Sequence, residues 1–167
     1  MTFMKKLLLF SLVLLGFGFA SNAQDVSKNA IGLRLGDSNG VGAEVSYQRA
    51  LGDMNRLEVD LGWRDSKYYD GFKLVGLYQW VWNIEGDFNW YAGVGGGLAS
   101  FDHYRKNYDD YDNNTFIFAA GDIGIEYNFN IPLLISLDFR PEIGFGPRDY
   151  DNNDLDFDIG LGIRYQF

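Results

Sequence analysis

The sequence has 167 residues, enough for one domain, and a formal charge of −9. With no cysteine, disulfides and thiolate metal sites are excluded. Asp and Glu number 23 against 14 Lys and Arg, which argues against a nucleic-acid partner, because phosphate binding requires clustered basic residues.

The first segment reads as a leader. Lys5 and Lys6 form a positive n-region, and residues 7–19 are apolar except for Ser11 and two glycines. Ser21-Asn22-Ala23 then supplies small residues before Gln24. This pattern predicts a secretory signal peptide over residues 1–23, cleaved after Ala23 and exported through the Sec pathway. An uncleaved anchor would need about 20 apolar residues, and this run is shorter. The mature domain, 24–167, loses two lysines and no acid, so its charge becomes −11.

From Gln24 onward the recurring pattern is alternation with a period of two, the mark of a strand with two different faces. Ile31, Leu33 and Leu35 alternate with Gly32 and Arg34. Val41, Ala43, Val45 and Tyr47 follow against Gly42, Glu44, Ser46 and Gln48. Eight strands are predicted in all, at 29–36, 41–51, 56–65, 72–83, 89–101, 115–129, 133–145 and 156–167. The fourth is the least regular, because Val75 and Leu77 fall on its polar face. The last is the cleanest, with Phe157, Ile159, Leu161, Ile163, Tyr165 and Phe167 on one side.

Connections also alternate. Gly52-Asp53-Met54-Asn55, Glu85-Gly86-Asp87 and Asn130-Ile131-Pro132 carry turn chemistry. Residues 65–71, 102–114 and 146–154 form longer polar loops at the other end, where only 37–40 is short. Short turns at one end and long loops at the other describe a barrel in a bacterial outer membrane. Four even-numbered strands end alike, in Tyr47-Gln48, Tyr78-Gln79, Tyr127-Asn128 and Tyr165-Gln166. Tyr47, Tyr78, Tyr127 and Tyr165 are therefore expected to form one interfacial aromatic ring.

Period two alone does not say which face meets lipid; a soluble lipocalin-like barrel would turn its apolar face inward around a ligand. The polar face holds Arg34, Glu44, Glu58, Asp60, Arg64, Lys73, Asp122, Glu126, Asp138, Arg140, Glu142, Asp158 and Arg164, interleaved with glycines. Glycine weakens a solvated strand, but inside a narrow barrel small residues make room for charged ones. Trp63, Trp80, Trp82, Trp90, Phe101, Phe129, Phe139 and Phe167 lie near strand ends, around an aliphatic band. About ten residues at ~3.3 Å, tilted by ~45°, cover roughly 23 Å, close to the lipid-facing height of such barrels. An open sheet in lipid leaves unpaired backbone groups, so the last strand is expected to close on the first. The predicted fold is all-β: an eight-stranded antiparallel up-and-down transmembrane barrel.

The terminal Gly162-Ile163-Arg164-Tyr165-Gln166-Phe167 resembles the C-terminal signal of outer-membrane barrels. The mature chain resembles the small eight-stranded OmpA/OmpX-like family, particularly its Bacteroidetes members. The resemblance implies outer-membrane lipid and lipopolysaccharide as surroundings, and recognition by the barrel assembly machinery through Tyr165 and Phe167. Members of the OmpA type often continue into a peptidoglycan-binding domain. None is visible here, so no wall-anchoring role carries over.

Little in the sequence points to catalysis. An acyl-transfer or deacylating barrel needs a histidine beside a serine and a carboxylate. The one histidine, His103, stands in Asp102-His103-Tyr104-Arg105 with only Ser100 nearby, and reads as a solvated loop residue. Gly93-Val94-Gly95-Gly96-Gly97 lacks the Lys-Ser/Thr of a phosphate loop and sits inside a strand. Asp and Asn alternate in 109–114 and 149–154 without the glutamate that completes an EF-hand. No enzyme activity and no cofactor or metal is therefore expected. The expected role is a monomeric barrel whose lumen is plugged by paired charges and whose outer loops meet other molecules. The alternatives are a narrow channel or small-solute binder along Arg64, Lys73 and Arg140, and the soluble ligand-binding barrel.

Overall fold

The computed structural model describes residues 26–36, 42–66, 69–103, 113–145 and 155–167, with backbone only for 64–66, 69, 70, 101–103, 113 and 114. The leader over 1–23, the side chains of Arg64 and His103, and the Asp/Asn runs of 109–114 (but for the backbone of 113 and 114) and 149–154 lie outside the described residues.

Eight strands follow in chain order: β1 (Asn29–Gly36), β2 (Gly42–Ala50), β3 (Asn55–Ser66), β4 (Tyr69–Glu85), β5 (Phe88–His103), β6 (Asn113–Asn128), β7 (Leu133–Phe145) and β8 (Leu155–Gln166). Each pairs antiparallel with the next, and β8 pairs with β1 to close the barrel. Closure removes every lateral edge, so no row of unpaired backbone groups is left along the wall. β4 and β5 run further than the sequence pattern suggests. Their turn needs only Gly86 and Asp87, with Gly86 at φ 54°. A bulge between Asn83 and Glu85 absorbs the extra residue. The Asn83 amide then ties the turn by donating to the carbonyls of Gly86 (2.8 Å) and Phe88 (3.1 Å).

The pairing fixes the barrel's shape. A line of partners from Ile31 runs through Tyr47, Val59, Gly76, Gly96, Ala119 and Ile143 to Leu155. Leu155 stands ten residues above Tyr165, the partner of Ile31 on the same strand. A ten-residue stagger over eight strands corresponds to a tilt of roughly 40–45° and an interior only wide enough for side chains.

At two positions the wall leaves no room for a side chain. A Cβ on Gly32 would lie 1.9 Å from the Ile163 carbonyl oxygen, and one on Gly95 would lie 1.9 Å from that of Gly76. These positions are on β1 and β5, half-way round from each other, where glycine allows backbone to approach backbone.

The hydrophobic arrangement is inverted relative to a water-soluble domain. Ile31, Leu33, Val45, Leu137, Ile159 and Ile163 are exposed, while Arg34, Glu58, Asp60 and Arg140 are fully buried. The apolar face thus points outward, opposite to the soluble ligand-binding alternative. The irregularity of β4 has a structural counterpart. Val75 and Leu77 face inward and pack with Ala99, Phe118 and Ala120, with Phe116 against them. The inner wall of β4, β5 and β6 is therefore apolar at that level, and the charges gather opposite and below.

Candidate functional site: the charged lumen

Inward positions on each strand carry the network. β1 contributes Arg34, β2 Ser46, Gln48 and Glu44, and β3 Arg56, Glu58 and Asp60. β4 contributes Lys73 and Gln79, β5 Asn89, β6 Asp122 and Glu126, β7 Ser136, Asp138, Arg140 and Glu142, and β8 Asp158 and Arg164. Among the described residues this places eight carboxylates and five cations in the buried interior. An unpaired charge there would be costly, and the geometry shows how the cost is offset.

Glu58 is the hub. Its Oε1 faces Arg140 Nη2 and Arg164 Nη2, each at 3.3 Å, and its Oε2 accepts from the amides of Gln48 and Gln79. Arg140 also donates to Asp60 Oδ2 at 2.6 Å and to Glu44 Oε2 at 3.4 Å. Arg34 grips Asp138 through Nε (3.0 Å) and Nη2, Asp158 through Nη1 (2.7 Å), and Glu44 at 3.2 Å. Arg164 donates to Ser46 Oγ (2.9 Å) and Ser136 Oγ (2.7 Å). The network thus ties β1, β2, β3, β7 and β8 together across the lumen.

Two smaller groups flank it. Towards the turns, Arg56 lies 2.7 Å from Glu126, donates to Gln79 Oε1 at 2.6 Å, and stacks 4.7 Å above the buried Tyr91 ring. Gln79 also donates to Asp122, linking this group to Glu58. Towards the loops, Lys73 holds Glu142 through both oxygens at 2.6 and 2.7 Å, with its ammonium 5.2 Å from the Phe118 ring. The apolar cluster around Phe118 lies on the wall beside this pair.

Four of these participants escape a reading by charged alternation. Arg56 has the same parity as Glu58 and Asp60, but it sits beside a turn, where the predicted strand begins. Gln48, Gln79 and Asn89 are neutral amides, and only the neighbouring carboxylates show that they are inward donors. Counting every hydrogen-bonding residue of one parity would have found all four.

The tyrosines occupy the outer face near the turns. Tyr47 donates to Asn29 Oδ1 at 2.8 Å, and Tyr78 meets Trp80 edge-on with centroids 5.0 Å apart. Tyr127 packs between Phe88 (4.6 Å) and Phe129 (4.7 Å), and Tyr165 stacks on Phe167 at 6.1 Å. Phe167 completes the seam by exchanging backbone bonds with Asn29, at 2.9 and 3.0 Å. No group of His, Asp or Glu with metal-binding geometry occurs among the described residues.

No protein-family model matches this sequence, and no curated protein does. Solved structures do. The chain is similar to the N-terminal β-barrel domain of Pseudomonas aeruginosa OprF, with a TM-score of 0.65 at 16% identity, over 84% of this chain and 98% of that one. Neisserial surface protein A matches at 0.62 and 13% identity, over 83% and 94%. Ail, the attachment invasion locus protein of Yersinia pestis, matches at 0.55 and 14% identity, over 84% and 97%. At such identities the likeness establishes the fold: a closed, eight-stranded, antiparallel barrel of the outer-membrane type.

Proposed function

We propose that this protein is a non-enzymatic, monomeric integral protein of the bacterial outer membrane, of the OmpA/OmpX-like class and Bacteroidetes type. The leader over 1–23 directs Sec export, and Tyr165 and Phe167 in β8 are the features read by the barrel assembly machinery. Tyr47, Tyr78, Tyr127 and Tyr165 form the ring at the membrane interface nearer the turns, and outer-membrane lipid and lipopolysaccharide surround the wall. The observation that carries this reading is the inversion: exposed aliphatic residues outside, and four arginines no more than 2% exposed within.

The lumen acts as a structural plug. A channel along Lys73 and Arg140 is not favoured, because Lys73 is held by Glu142, and Arg140 by Glu44, Glu58 and Asp60. In planar bilayers the refolded protein is expected to give no stable large conductance; steps of general-porin size would contradict the plug. Contact with other molecules then falls to the loops over 102–114 and 146–154, rich in Tyr and Asp. One structure of Ail holds the heparin analogue sucrose octasulfate. The acidic loops here favour basic surfaces over polyanions of that kind.

A further inference from the structure

The closure between β1 and β8 is short, with seven residue pairs from Ala30 to Gly36 and the Asn29–Phe167 exchange beyond them, against sixteen pairs between β4 and β5. Every other strand pair is joined directly by a turn or loop, whereas these two strands come from opposite ends of the domain. Their inner faces are composed in an unusual way. Arg34 stands opposite Gly162, Arg164 opposite Gly32, and Gly36 opposite Gly160. At this seam each arginine thus faces a glycine on the other strand.

Each guanidinium uses the space so provided to reach past the seam. Arg34, from β1, bonds Asp158 on β8 and continues to Asp138 on β7. Arg164, from β8, crosses β1 to reach Ser46 on β2 and Glu58 on β3. The glycines are required for this course. A Cβ on Gly160 would lie 2.4 Å from Arg34 Cζ, and one on Gly162 would lie 2.4 Å from Arg164 Nη1. Both arginines are also anchored on their own side, Arg34 at Glu44 and Arg164 at Ser136.

We propose that Arg34 and Arg164 form a two-armed staple that holds the β1–β8 seam closed from inside the lumen. Each arm fastens the strand beyond its neighbour, so opening the seam breaks both sets of bonds together with the short backbone ladder. Arg140 of β7 also reaches over both strands to Glu44 on β2 and to Glu58 and Asp60 on β3, without starting from either, whereas Lys73–Glu142 stabilises the lumen away from the seam.

The test uses the absence of native cysteine. Leu33 and Ile163 are partners across the seam, and Leu74 and Leu98 are partners within β4–β5. Opposed residues of antiparallel strands are close enough for a disulfide. Arg34→Met, Arg164→Met and Lys73→Met are each combined with Leu33→Cys/Ile163→Cys or with Leu74→Cys/Leu98→Cys. The full chain is refolded into lipid vesicles, and urea midpoints are read oxidised and reduced. The staple predicts that the oxidised seam disulfide recovers more than half of the midpoint lost in Arg34→Met and Arg164→Met. It predicts that the β4–β5 disulfide recovers neither, and that Lys73→Met gains no such recovery from the seam disulfide. Equal recovery from both disulfides, or none from the seam disulfide, overturns the proposal. If Arg34→Met does not refold, Arg34→Lys takes its place, keeping the charge but losing the fork, and the same outcomes decide.

Discussion

Glu58 receives two guanidiniums and two amides at a buried point, so its removal takes away the carboxylate that Arg164 pairs with and one acceptor each from Arg140, Gln48 and Gln79. Breaking a buried ionic arrangement on one side costs about 3–5 kcal/mol, because the partner charges remain buried. Glu58→Ala should therefore lower the unfolding free energy by that amount in a urea titration followed by tryptophan fluorescence. A loss under ~1 kcal/mol, the size of an exposed pair, would mean the hub is solvated. The lumen charges of one parity are legible in the sequence where the alternation is regular, as in β3, β7 and β8. Their partners are not, since Arg34 finds Asp138 across 104 positions and Arg140 finds Asp60 across 80. Which carboxylate meets which guanidinium depends on the stagger of the strands, and that is a property of the closed ring. Arg56 is hidden for a simpler reason: beside a turn, one inward residue shows no alternation of its own.

At the level of the strands, exposure separates the two barrel types cleanly. Ile159, near the middle of β8, is 59% exposed on the outer face. An arginine on the lipid face near the bilayer midplane costs about 2–4 kcal/mol, while on a water-facing wall it costs close to nothing. Ile159→Arg is thus expected to lose about that much stability in lipid vesicles; an unchanged midpoint would argue that this wall faces water. The close backbone approach at Gly95 makes a second expectation. Gly95→Ala drives a methyl into the Gly76 carbonyl, whereas a methyl on Gly76 meets nothing within 4 Å. Gly95→Ala should lose about 1–3 kcal/mol or more, as overpacked positions do, and Gly76→Ala should refold with a near-native midpoint. Strand identity is readable because period-two patterning persists, most clearly in β8. The reach of β4 to Glu85 is less so. The turn falls within the expected Glu85-Gly86-Asp87, but the bulge at Asn83 lets pairing run on to Glu85, and the inward Val75 and Leu77 blur the alternation along the strand.

For the molecule as a whole, a closed ring, an apolar exterior and a cross-linked interior support one another. The ten-residue stagger narrows the interior until side chains fill it, and glycines at Gly160 and Gly162 create the room that arginines need. The apolar exterior removes competition from water for the lumen bonds, which strengthens them. A barrel built this way is expected to resist detergent until heat opens it. The most direct measurement is gel mobility of the fractionated, membrane-extracted protein with and without boiling. The account predicts that the protein appears in the outer-membrane fraction and that the unboiled form migrates as a compact band, converting to the unfolded position on boiling. A protein soluble without detergent that shows no heat-dependent shift would contradict it.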